Sequence, residues 1–232
     1  MMSEPTSQIH STYNTHKAKW AQRLIWIVMV VDLISLFSSY FQYELLILAQ
    51  NQELVTEEMA SSNDLREQVI GIVYTVIYLT SAVVYIRWFK SAYSNLAKRT
   101  VTNEKVSMAI WGWIIPFISL FKPYQMIKEM WTDTSLQIRL KEPDYQQKDT
   151  SILGFWWFLW LITNVIGNFI FKYAFKSETI QDYINLTISE MVLSVLTIPL
   201  AILAYIIIEQ YNEIEVKLTE LEAGENTNNS YE

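Results

Sequence analysis

Apolar residues along this chain gather into four long blocks: 24–48, 69–89, 152–171 and 186–208. Each block reaches the roughly 20 residues that a helix rising 1.5 Å per residue needs to cross a hydrocarbon core about 30 Å thick. The pattern predicts an all-α, polytopic membrane protein with four transmembrane helices. The bundle is expected over 20–215, between a polar mobile tail (1–19) and an acidic disordered tail (216–232). Helical periodicity continues past two of the blocks. Trp88, Phe89, Ala92, Tyr93 and Leu96 fall on one face, with Lys90, Ser94 and Lys98 elsewhere, so the second helix is expected to project as an amphipathic extension. Tyr211, Ile214, Leu218 and Leu221 mark a similar continuation of the fourth, whose Pro199 should kink it unless neighbours satisfy the freed carbonyl.

A fifth apolar stretch, 106–131, breaks this pattern. It reads VSMAIWGWIIPFISLFKPYQMIKEMW. Pro116 interrupts it, and Lys122-Pro123 interrupts it again. After Pro123, Tyr124, Ile127, Met130 and Trp131 share one face, while Gln125, Lys128, Glu129 and Asp133 point away. Pro123 suits a first helical position, where its missing N–H needs no partner. The stretch is therefore predicted to be a re-entrant or interfacial element between spans two and three, ending in an in-plane amphipathic helix.

Composition supports the membrane reading. Of 232 residues, 51% are hydrophobic and 14% aromatic, and the mean hydropathy is positive. The net charge of −7 conceals a partition. Ten of the seventeen Lys and Arg lie within 87–150, against one, Arg66, in the acidic loop 50–68. Lys and Arg accumulate on the cytoplasmic side, so both termini and the central segment are expected in the cytoplasm. Counting 106–121 as a fifth span would conflict with that bias. All nine tryptophans then fall in the cytoplasmic half. They form either an anchor belt or a structured inner face.

Candidate chemistry is sparse. Without cysteine there is no disulfide, thiol nucleophile or thiolate metal site. His10 and His16 are the only histidines, and no metal, nucleotide or triad motif occurs. No cofactor, metal ligand or catalytic residue is predicted, and nothing selects an enzyme mechanism. Asp32 lies inside span one, and buried charges usually face a partner or water; Arg23, Arg87 or a central lysine could pair with it. Asn164 and Asn168 share a face of span three, one turn apart, for helix packing or for a ligand. Glu190 lies within span four and could pair with Lys172 or Lys176. The aromatics sit where a membrane would bury them, which argues against nucleic acid.

One set of residues goes further. Arg87-Trp88-Phe89 with Ala92-Tyr93-x-Asn95-Leu96, Trp111-Gly112-Trp113-x-x-Pro116, Leu120-Phe121-Lys122-Pro123-Tyr124-Gln125-Met126, Glu129-x-Trp131 and Trp156-Trp157-x-Leu159-Trp160 occur in this order. Together they resemble an uncharacterised bacterial membrane family, the domain of unknown function four-three-two-eight, over roughly 85–211. The resemblance implies a bacterial multi-span protein and carries no activity. The expected role is a non-enzymatic membrane protein that binds anionic lipid or an unidentified protein partner at the cytoplasmic interface. Lys122, Tyr124, Lys128 and Trp131 would be its contacts. The alternative is a small transporter or channel built on Asp32 and the Asn164/Asn168 face. Oligomeric state is not legible, since no GxxxG occurs.

Overall fold

The structure, a computed structural model, describes the backbone of residues 6–228 and the side chains of residues 14–225. Residues 1–5 and 229–232, and the side chain of His10, lie outside the described residues. Among the described residues there are six α-helices: α1 (Thr6–Gln50), α2 (Glu57–Ala97), α3 (Met108–Ile114), α4 (Lys122–Lys141), α5 (Ser151–Ala174) and α6 (Ile180–Asn228). A single 3-10 turn, Ile118–Leu120, separates α3 from α4, and there is no strand among the described residues. Four helices, α1, α2, α5 and α6, are long and apolar enough to cross a membrane. The chain is a multi-pass membrane protein.

Three of these helices, α1, α2 and α6, run far beyond their apolar blocks. The 45 residues of α1 and 49 of α6 come to roughly 70 Å each at 1.5 Å per residue, far more than a hydrocarbon core needs. Within 1–19, where a mobile tail is expected, the chain is helical from Thr6, with Asn14 and Ala18 buried. The expected disordered tail 216–232 is likewise helical as far as Asn228, with Leu218, Thr219 and Ala223 buried. In both places small or apolar residues at helical spacing pack on neighbours, which offsets the entropy that a polar composition would leave free. Helix α6 continues through Pro199 without interruption.

The chain divides into two compact units, Met1–Leu24 with Ser81–Trp157 and Ala204–Glu232, and Ile25–Thr80 with Phe158–Leu203. In the first, the stripe expected on the extension of α2 is the core itself: Trp88, Phe89, Ala92, Tyr93 and Leu96 are all buried. Met126, Ile127, Met130 and Trp131 from α4, Leu153 from α5 and Ile207, Ile208, Tyr211, Ile214 and Leu218 from α6 are buried in the same unit, and Trp88 meets Tyr211 edge-on. Helix α4 runs ten residues beyond 131, through a segment expected as a polar connector, because Thr134, Ser135 and Ile138 extend its buried face. In the second unit most apolar side chains remain uncovered. Val69, Ile72, Val76 and Leu79 of α2 are exposed, and only 6% of that helix's apolar window is buried within the chain. Exposed apolar surface on that scale calls for lipid or another chain.

Candidate functional site

The broken stretch resolves into two legs around a tight turn. Pro116 disfavours helical geometry in the residue before it, and Ile115 is extended at φ −77°, ψ 120°, which closes α3. Phe117 follows at φ 63°, ψ −42°, a left-handed conformation that costs a bulky residue energy. The Ile118 N–H donates to the Pro116 carbonyl at 2.8 Å, so Phe117 is the centre of a γ-turn. Its ring is 81% exposed, and Trp111, Ile114 and Phe121 are exposed beside it. Pro123 sits in the first turn of α4, as its missing N–H favours.

The other side of this element is held by aromatic packing. Trp113 meets Tyr85 edge-on at 5.4 Å, Phe89 at 5.7 Å and Trp157 at 6.1 Å. Tyr124 stacks on Trp157 at 6.1 Å, and the Trp157 indole N–H donates to the Leu120 carbonyl at 3.2 Å. Gly112 is buried where an added Cβ would lie 3.4 Å from the Lys122 Cβ, so the two legs approach closely there.

Of the four expected contact residues, three face inward. Lys122 forms an ion pair with Glu104. Tyr124 lies in the aromatic stack. Trp131 is 0% exposed and its indole donates to the Lys148 carbonyl at 3.1 Å. Lys128 alone is exposed. Glu129 was expected to point away, but it is buried, accepts from the Tyr93 hydroxyl at 2.8 Å and from the Asn103 N–H, and so ties the loop after α2 to α4.

A polar centre that the sequence reading missed lies among α1, α2 and α6. Glu215 is 2% exposed and accepts from the Asn95 amide at 2.7 Å and from the Asn14 amide. Seven residues past the fourth apolar block, it lies beyond the spans. Burial pushes its carboxyl above the usual range, against the pull of Asn95, Asn14, Arg99 and Lys17. A signal was present: position 215 falls on the apolar stripe of Tyr211, Ile214 and Leu218, where an acid is out of place. One turn further, Arg99 makes a bidentate pair with Glu222 at 2.9 Å and donates to Thr219 at 3.0 Å.

In the second unit, Asp32 is buried near the hydroxyls of Tyr74 and Thr197. The expected ion pair with Arg23 is not formed. Nine residues further along one helix, Asp32 is half a turn out of phase and about 13 Å away along the axis. The Asn164 amide donates to the Trp160 carbonyl at 2.7 Å and Asn168 to the Asn164 carbonyl at 2.8 Å. Both amides are thus engaged by their own helix, four residues back, rather than by a neighbouring one. Glu190 has the Glu67 carboxylate, not Lys172 or Lys176, as its charged neighbour. Among the described residues no His, Asp and Glu group could hold a metal.

Trp88, Gly112, Trp113, Lys122, Tyr124, Glu129, Trp131 and Trp157 come from five separate stretches and build one unit. A family model described as Domain of unknown function (DUF4328) matches residues 51–213. The chain belongs to the DUF4328 family. The match takes in the loop before α2 and the whole second span, beyond the 85–211 expected from the motif residues. No match was found among curated proteins or among solved structures. The DUF4328 segment contains α3, α4 and their aromatic contacts; residue 215 follows it by two positions.

Proposed function

We propose that this DUF4328 protein is a non-enzymatic component of a bacterial cytoplasmic membrane, both termini cytoplasmic, whose 106–131 element engages the inner leaflet. The exposed, strained Phe117 at the apex of the turn carries this reading. Such a conformation costs on the order of 1–3 kcal/mol and persists where surrounding structure enforces it. Here Gly112, the prolines and the tryptophan stack enforce it, and the outcome is an apolar tip of Trp111, Ile114, Phe117 and Phe121. Such a tip is stable in lipid and costly in water. The clustering of basic residues within 87–150 supports its cytoplasmic side. The contact surface is thus the turn rather than the face of Lys122, Tyr124 and Trp131.

The test uses the cysteine-free background. A single Phe117→Cys variant carrying an environment-sensitive fluorophore is reconstituted in vesicles containing anionic lipid. Quenching by lipids brominated near the headgroup is expected, with little quenching by aqueous iodide. The reverse pattern in a folded protein refutes the reading.

A further inference from the structure

Five cations of the first unit hold a carboxylate. Arg99 pairs with Glu222, Lys122 with Glu104, Lys141 with Glu225, Lys148 with Glu213 and Lys217 with Glu142. Three others lie together on one helix. Arg87, Lys90 and Lys98 recur at helical spacing along one exposed face of α2, and none has an ion pair among the described residues. They line a cavity of about 830 Å³ whose opposite wall comes from α1.

The cavity is concave, basic and graded in polarity. Lys17 enters from α1 and donates to the Ser91 hydroxyl across the groove at 2.9 Å. Its ammonium is held below the usual lysine range by burial and by the repulsion of Arg87 and Lys90. Four cations therefore line one space, and Glu215, the acid that acts on Lys17, is buried and already bonded to the Asn14 and Asn95 amides. Ser91 and Ser94 add hydroxyls between the charges. At the end toward the apolar blocks the lining changes to Trp20, Val84, Ile86 and Ile110. Arg87 is at the end of the second block, and Trp20 with Arg23, whose guanidinium lies 5.2 Å from the Trp20 ring centre, precedes the first. These are positions where headgroups lie.

A solvated basic face would spread its charges apart. Here they face one another and repel, an arrangement that becomes favourable once an anion occupies the space. We propose that this groove is a binding site for the phosphate of an anionic phospholipid, with Lys17, Arg87, Lys90 and Lys98 around the headgroup and the acyl chain leaving past Val84, Ile86 and Trp20. The choice of lipid over a soluble phosphate ester rests on that apolar exit and on the inner-leaflet reading above. The residues are separate from the turn at Phe117.

The experiment measures thermal stability of the full chain in neutral detergent. The titrants are short-chain phosphatidylglycerol, short-chain phosphatidylcholine and glycerol phosphate. A saturable rise in Tm is expected with phosphatidylglycerol alone, weakening as salt is added. The variant R87Q/K90Q/K98Q should bind roughly 100-fold more weakly, at about fivefold per basic residue near a membrane surface. Without lipid it should be at least as stable as the parent, because repulsion is relieved; a loss of stability there would mean that these residues serve the fold, and would overturn the site. The variant F117S/F121S should keep the phosphatidylglycerol effect, so failure of the turn reading leaves this result intact. An undiminished effect in the triple variant, or no effect in the parent, overturns the site. An equal effect of glycerol phosphate overturns the lipid assignment.

Discussion

Glu215 shows how one residue's surroundings set its chemistry. Two amides aim donors at it, yet burial outweighs them and the charged positions beyond, so the carboxyl holds its proton above the ordinary value of 4.5. The Asn14 carbonyl oxygen is buried without a partner among the described residues. Turning that amide would present the oxygen to a protonated carboxyl. Because the folded chain binds this proton more tightly than the unfolded one, the contribution is complete below pH 4.5 and is lost as pH rises through the raised folded pKa. Glu215→Gln cannot titrate. The Tm of the parent relative to E215Q is therefore expected to fall as pH is raised from 4 upward. A difference that stays constant with pH would sink this account.

At the scale of elements, the hairpin of α3 and α4 depends on the close approach at Gly112. A Cβ there meets the Lys122 Cβ at 3.4 Å, an ordinary contact, whereas a longer side chain has no room. Gly112→Ala should leave stability within about 1 kcal/mol, with gained helix propensity offsetting any adjustment. Gly112→Leu should cost roughly 1–3 kcal/mol by forcing the legs apart, and should also disturb the packing of Trp113 on Tyr85, Phe89 and Trp157. Denaturation in mild detergent measures both. Equal stability of the two variants would contradict the close approach. The breaks at Pro116 and Pro123 were legible beforehand, because proline restricts its neighbours and lacks a donor. The inward direction of Trp131, the Lys122–Glu104 pair and the burial of Glu129 were not. An amphipathic face reads the same whether lipid or protein covers it, and here α4 turns that face onto protein.

For the whole molecule, the expected topology places the loop around residue 53 outside and Lys128 inside. Single cysteines at Glu53 and Lys128 test it, since the chain has no cysteine of its own. A membrane-impermeant maleimide on intact cells should label Glu53→Cys and should reach Lys128→Cys only after the membrane is opened. Labelling of both, or of Lys128→Cys alone, would overturn the orientation.

The hydrophobic pattern by itself determined the helical class, the four apolar blocks, the interruption at 106–131 and, through its motif residues, the family. These follow from local rules: segment length against hydrocarbon thickness, side-chain period and proline geometry. Only tertiary structure decided that the polar ends of α1 and α6 are packed helices, that Glu215 lies between two asparagines, and that Arg87, Lys90 and Lys98 face Lys17 across a groove. Each of these depends on residues distant in sequence meeting in space. Composition averages over such meetings and periodicity within one helix cannot contain them, so the outward tip at Phe117 and the basic groove emerge only when the helices are packed.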